Sequence, residues 1–350
     1  MSVFKTSIHG QHLRGIPRIK PAFTSTFSLQ LQKRPLHSPR PRDLNMAKIN
    51  TPIPSLKLND GTSIPMLGYG TGTAWYKTGD ESTVDRKLVE CVKTAIGLGY
   101  YHLDGAEVYK TEPELGLAIK ESGVDRSKLF ITTKVMHNVG DPVTALKTSL
   151  KKLQVDYVDL YLIHAPYFAS NDPKDPTNND PAKLQKAWAA MEQLKEAGLA
   201  KSIGVSNYLI PDLESTLKTA KVVPSINQIE FHPYLQHGDL IPFQKKHGIA
   251  TAAYGPLTAT TKAKPGPVDE IYSALAKKYA VSEGEIALRW TIDSDVVAIT
   301  TSSKEQRLSD YLRAATFKLT PKEVEEIGKL GLQKHFRGFW GNKFTEDNKL

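Results

Sequence analysis

The chain has 350 residues, 40% of them hydrophobic and 24% charged, with Cys91 as its single cysteine. That is an ordinary globular composition with enough chain for a sizeable core; one cysteine excludes an intramolecular disulfide and fits a reducing compartment, and no apolar run approaches the ~18 residues of a membrane span. The net charge of +9 belongs to one end, because residues 1–45 carry eight Lys/Arg against the single acid Asp43, leaving +2 for the other 305 residues, which argues against a nucleic-acid surface on the folded part.

In chain order, residues 1–45 come first, rich in Ser, Thr, Pro and Arg. They read either as a mitochondrial presequence or as a disordered extension upstream of Met46, and Pro17, Pro21, Pro35, Pro39 and Pro41 work against a long presequence helix. Residues 46–350 are then one domain, cytoplasmic unless the basic segment is an address. "SLKLNDGTSIPML" alternates around Asn59-Asp60-Gly61, which predicts a hairpin. Beyond it, β-rich runs near 66–70, 100–104, 129–134, 157–163, 201–205, 225–229, 249–253 and 296–299 alternate with amphipathic stretches. The latter lie near 82–97, 112–121, 142–152, 182–196, 210–219, 238–246, 269–279 with 283–291, and 304–313. Asp141-Pro142 and Asp180-Pro181 are helix starts, and Gly198 and Gly248 are stops. Cys91 falls among apolar residues at helical spacing, as a buried structural thiol would. Eight strand–helix units with no second composition zone predict an α/β fold, a (β/α)8 TIM barrel, with a doubly wound sheet as the alternative.

In a barrel, catalytic residues sit at the C-terminal ends of several strands. Asp104 ends the second β-rich run in "YYHLDGAEVYK", Lys134 the third in "LFITTKV" and His164 the fourth in "YVDLYLIHAP", while Tyr109 lies in the loop after the second. A carboxylate at the end of an apolar run needs a partner, and Lys134 on the adjacent strand is the cation within reach. Glu230 and His232 are spaced to chelate, but no third ligand of suitable spacing follows and no metal is expected. "GYGTGT" (Gly68 to Thr73) lacks the third glycine and the ribose acid of a dinucleotide fingerprint. As a first βα loop it lets backbone approach a ligand closely, with Thr71 or Thr73 nearby.

Asp104, Tyr109, Lys134 and His164 resemble, in order, spacing and motif, the catalytic tetrad of the aldo-keto reductase superfamily. The resemblance covers about residues 55–340 and extends to "GVSN" (Gly204 to Asn207), "NQIEFHP" (Asn227 to Pro233), "YGPL" (Tyr254 to Leu257) and "TTSSKEQR" (Thr300 to Arg307). It implies reduction of a small-molecule carbonyl by hydride from NADPH. Tyr109 is then the general acid, with its pKa lowered by Lys134; Asp104 holds the lysine and His164 orients the substrate oxygen. Carried over by motif, Ser206, Asn207 and Gln228 grip the nicotinamide carboxamide, Tyr254 stacks on its ring, and Gly255 and Leu257 line the same channel.

At the adenosine end, Thr301 stands where the family commonly has lysine. Ser302, Ser303, Lys304 and Arg307 remain for the phosphate, and Arg307 keeps the bidentate fork. "GTAWYK" (Gly72 to Lys77), "HAP" and "TTSSKEQR" resemble a fungal subgroup of conjugated polyketone, ketopantoyl lactone and α-keto amide reductases, which implies activated dicarbonyl substrates. Trp75 and Tyr76, with Tyr167 or Phe168 and His164, are the expected pocket walls, and "HFRGFW" (His335 to Trp340) is the expected cover of the barrel mouth. Glu230 and His232 become scaffold. The family's default is a monomer, and a dimer stays open. A barrel hydrolase or isomerase, and a redox-sensing subunit of the same fold akin to potassium-channel β-subunits, are the competing classes.

Overall fold

The computed structural model describes residues 52–168, 180–341 and 343–344; the expected targeting or extension segment, residues 1–45, and Met46 lie outside them. The described chain opens with the expected hairpin, β1 (Ser55–Lys57) paired antiparallel with β2 (Ser63–Pro65), and Gly61 takes a φ of +87° in its turn. Eight parallel strands follow: β3 (Leu67–Gly70), β4 (His102–Asp104), β5 (Phe130–Val135), β6 (Val158–Ile163), β7 (Ala200–Ser206), β8 (Ile226–Glu230), β9 (Ala250–Tyr254) and β10 (Val296–Thr300). They pair in chain order, and β10 closes on β3, so the sheet is a closed barrel rather than a doubly wound one.

The helices between the strands form the outer ring. They are α1 (Arg86–Leu98), α2 (Glu112–Ser122), α3 (Pro142–Leu153), α4 (Pro181–Glu196), α5 (Ile210–Leu217), α6 (Leu240–Lys246), α7 (Asp269–Tyr279), α8 (Glu283–Asp293), α9 (Glu305–Leu312) and α10 (Pro321–Gly331). Asp141 and Asp180 cap α3 and α4 by accepting from first-turn N–H groups. Helix α1 begins four residues later than its amphipathic pattern suggests, because the Asp85 carboxylate accepts from the N–H groups of Lys87 and Leu88 and so fixes the start. Helix α10 has no counterpart in the expected set. Its signal is nevertheless present, a capping box of Thr320 and Glu323 with Pro321 in the first turn.

Side-chain alternation divides the strands between two cores. Leu160 and Leu162 of β6 point into the barrel with Phe130, Ile226, Ala252, Val297 and Ile299, where Leu58 and Ile64 of the hairpin join them. Tyr161 and Ile163 point outward into the larger core beneath the helices. At about 1.5–3 kcal/mol for each large apolar side chain fully buried, these two layers fix the barrel and leave its other end for polar groups. Cys91 on α1 is half-buried rather than fully enclosed.

Candidate active site

Strand register brings the first two polar groups together. Asp104, the last residue of β4, pairs with Thr132 of β5; Lys134 is two residues on and therefore on the same, inward face. Lys134 Nζ donates to Asp104 Oδ1 at 2.6 Å and to the Gly105 carbonyl at 2.8 Å. Gln228 Nε2, from the middle of β8, donates to Asp104 Oδ2 at 2.8 Å. The pair is buried, with 0% of the Lys134 side chain and 4% of the Asp104 side chain exposed. Burial pulls the Lys134 ammonium below its ordinary pKa, against the opposing pull of Asp104.

Tyr109 closes a short 3-10 turn after β4 (Glu107–Tyr109). His164 follows β6 directly and is held by its backbone N–H on the Val135 carbonyl at 2.9 Å. The Tyr109 hydroxyl and His164 Nε2 are 3.4 Å apart, with the rings edge to face. Burial, reinforced by Lys134 and His137, holds the His164 imidazole well below its ordinary pKa, so it is neutral at pH 7. Its Nδ1 is buried without a partner. An unpaired lone pair costs less there than an unpaired N–H, which places the proton on Nε2, facing Tyr109.

The expected lowering of the Tyr109 pKa by Lys134 is not what this geometry produces. Burial pushes the phenol well above its ordinary value, and the Asp104 carboxylate adds to the shift. Lys134 Nζ stands 5.1 Å from the ring centroid and directs hydrogen bonds to Asp104 and Gly105, so loss of hydration dominates.

All four tetrad positions meet at one end of the barrel. Asp104, Tyr109 and His164 line a cavity of about 720 Å³ there. Thr73, Tyr76, Gln228, Tyr254, Gly255, Leu257 and Thr301, seven other expected contact residues, line it too. Four do so indirectly. Thr71 is buried behind the first loop, donating from Oγ1 to the Asp104 carbonyl at 3.2 Å. Ser206 donates to the Gln228 carbonyl at 2.6 Å. Asn207 Nδ2 donates to the His164 carbonyl at 2.8 Å, while its Oδ1 accepts from the Tyr254 hydroxyl at 2.6 Å. Ser302 Oγ accepts from the Lys304 N–H at 3.0 Å. Ser303, Lys304 and Arg307 are exposed at the start of α9, outside the cavity wall.

Trp75 is not a cavity wall. A largely enclosed indole N–H needs an acceptor, and it finds the Tyr69 hydroxyl at 3.1 Å and Thr301 Oγ1 at 3.2 Å. The ring thereby packs on the core and leaves Tyr76 to face the opening. Neither Tyr167 nor Phe168 reaches the wall; Tyr167 lies beside Trp340, with centroids 6.3 Å apart. The C-terminal strap does cover the mouth, through Phe339 and Trp340. Met136, His137, Thr258, Thr261 and Lys262 also line the cavity, unforeseen though they follow β5 and β9, where barrel loops face a site. Among the described residues no group of three or more His, Cys, Asp or Glu is placed to hold a metal ion.

The cavity fits a nicotinamide dinucleotide in its chemistry. Tyr254 offers a ring shelf and Gln228 keeps Oε1 for an amide N–H. The N-terminus of α9 has no side-chain cap, so its N–H groups, with Arg307 and Lys304, suit a phosphate.

Comparison with known proteins agrees with this geometry. A family model described as the aldo/keto reductase family matches residues 67–331. An NAD/NADP-dependent indole-3-acetaldehyde reductase of Schizosaccharomyces pombe is 43% identical over 281 residues, 80% of this chain and 96% of that one. An NADPH-dependent alpha-keto amide reductase of Saccharomyces cerevisiae is 39% identical over 304 residues, 83% and 95% of the two chains. The crystal structure of a Bombyx mori aldo-keto reductase in complex with NADP superposes with a TM-score of 0.71 at 35% identity, over 80% of this chain and 93% of the other.

Proposed function

The chain belongs to the aldo/keto reductase family, an NADP-dependent oxidoreductase that reduces carbonyls, and from that premise we propose its substrates, its preferred cofactor and its proton donor. The substrates are activated dicarbonyls, such as ketopantoyl lactone, conjugated polyketones and α-keto amides. NADPH is favoured over NADH, and Tyr109 is the general acid. One observation carries the reading: the Tyr109 hydroxyl and His164 Nε2 stand 3.4 Å apart at the cavity floor, beside a buried Lys134–Asp104 pair.

When bound, a reduced nicotinamide supplies hydride to the carbonyl carbon. The chain's own residues handle the oxygen. His164, neutral and carrying its proton on Nε2, donates to that oxygen and orients it. Tyr109 stays protonated at neutral pH because burial raises its pKa, so it holds a proton until negative charge develops on the oxygen. An alkoxide is far more basic than a phenolate, and the proton then moves from Tyr109 to the product. Lys134, 5.1 Å from the ring centre, offsets the phenolate charge at that moment. Asp104 keeps the lysine in place and leaves the resting pair neutral. In the reverse direction the Tyr109 phenolate is the base.

An adjacent second carbonyl withdraws electrons from the reacting carbon and favours hydride addition, and the alpha-keto amide activity named for the S. cerevisiae relative supports this substrate class. Arg307 and Lys304 support NADPH through the extra phosphate. Thr301, where the family commonly has lysine, limits the preference, in keeping with the dual cofactor use in the S. pombe relative's name. The test is oxidation of NADPH and NADH, followed by absorbance, with ketopantoyl lactone, isatin and diacetyl. Faster turnover with NADPH on all three is expected. Binding of NADPH with slow, stoichiometric oxidation would favour a sensor instead, and no binding would overturn the reading.

A further inference from the structure

Glu230 closes β8 with a fully buried side chain that takes no part in the proton transfer. Its carboxylate faces three N–H donors. The backbone N–H of Gly338 reaches Oε1 at 2.7 Å and that of Phe339 reaches Oε2 at 3.1 Å. His232 Nε2 lies 3.0 Å from Oε1; burial keeps that imidazole below its ordinary pKa, and the neutral ring donates to the carboxylate. Arg337 also lies in the field of this carboxylate.

The upstream part of the strap has its own anchors. Lys334 Nζ donates to the Pro265 carbonyl at 2.8 Å, and the Phe336 N–H donates to the Tyr234 carbonyl at 3.2 Å. From 338 onward the strap's N–H groups rest on Glu230, and Lys262 Nζ donates to the Gly338 carbonyl at 3.5 Å. The Phe339 ring stands edge-on to Tyr254 at 5.5 Å, under Lys262 Nζ at 3.7 Å. Space for that ring exists because residue 255 is glycine, where a Cβ would come within 2.8 Å of Phe339 Cε2. Trp340 sits at a φ of +58°, a left-handed conformation that costs a bulky residue energy, and its ring is 5.8 Å from His164. A strained aromatic beside a catalytic histidine stays put only if its backbone is held.

We propose that Glu230 is a positioning residue that sets substrate selectivity: by docking the backbone of residues 338 and 339, it fixes the Phe339 and Trp340 rings as the roof over the tetrad. The proposal rests on the carbonyl-reductase reading. In Glu230→Gln an amide N–H replaces an acceptor opposite the strap's donors, and the roof is released.

The test compares wild type, Glu230→Gln, Trp340→Ala and the double variant, all full-length, on broad bicyclic isatin and on small diacetyl. A carboxylate–N–H bond is strong enough for its loss to raise the KM for isatin about tenfold. In Glu230→Gln the kcat and the KM for diacetyl stay near wild type, and the double variant is no worse on isatin than the worse single one. Equal losses on both substrates, or losses that multiply in the double variant, would overturn the proposal by making Glu230 a general support of the barrel. Hydrogen exchange in the wild type needs no variant to fold: slow exchange of the Gly338 and Phe339 amides is expected, and exchange at the rate of free peptide would overturn the latch. Absence of turnover by the wild type would count against the reductase reading alone, since the exchange result judges the latch separately.

Discussion

Replacing Lys134 with methionine removes one half of a buried ion pair at nearly constant volume. At 2.6 Å and an effective dielectric constant of about 20, the gross attraction is about 6 kcal/mol. Much of it only offsets the dehydration of both ions, as the depressed pKa of Lys134 shows. The net loss therefore comes from what is left behind. Asp104 stays buried with Gln228 as its remaining side-chain donor, an unpaired buried charge that costs about 3–5 kcal/mol. For a domain of this size that lowers the melting temperature by roughly 5–8 °C. Asp104→Asn strands the ammonium in the same way. The double variant Asp104→Asn/Lys134→Met strands neither charge and returns to within about 2 kcal/mol of wild type. Turnover stays low in all three, because nothing offsets the Tyr109 phenolate. Urea unfolding and NADPH-dependent turnover on the same four proteins provide the assay. A Lys134→Met protein as stable as wild type, or a double variant whose loss is the sum of the single losses, would refute the reasoning.

Two other perturbations probe different parts of the structure. His102 is fully enclosed, 3.2 Å from the Pro65 carbonyl and 3.1 Å from Thr132 Oγ1, and burial lowers its pKa from 6.5 to about 4. The unfolded chain therefore binds this proton more tightly. The stability is full above about pH 6.5 and is lost as pH falls toward about 4, by about 3 kcal/mol; urea midpoints across that range should fall, and fall less steeply in His102→Gln. At the rim of α9, Arg307→Met should weaken NADPH about tenfold in a fluorescence titration and leave NADH unchanged; equal loss for both cofactors would place the cation elsewhere on the dinucleotide.

The barrel is legible in the sequence because its signals are local. Asn59-Asp60-Gly61 specifies a hairpin turn, the Asp-Pro pairs start α3 and α4, and Asp104, Lys134 and His164 each mark a strand end. Once the strands close in order, register does the rest, bringing Lys134 onto the face of Asp104. What fails to show is orientation within a loop. Trp75 and Tyr76 are adjacent aromatics, with Trp75 the foremost pocket candidate in the sequence, and only the need of the indole N–H for Tyr69 and Thr301 turns Trp75 inward and leaves Tyr76 toward the cavity. The electrostatic sign at Tyr109 is equally hidden, since it depends on how much hydration the phenol loses. The motif "HFRGFW" marks the strap as a cover but not its latch, because Gly338 and Phe339 lie 108 and 109 residues from Glu230.

The central claim is that Tyr109 delivers the proton, and Tyr109→Phe tests it most directly, since it removes one hydroxyl and keeps the ring. NADPH binding and turnover of isatin should be measured on the same preparation, by fluorescence titration and by absorbance. The account predicts an unchanged NADPH affinity with turnover lower by about 10²–10⁴. Turnover equal to wild type in a variant that binds NADPH normally would contradict it.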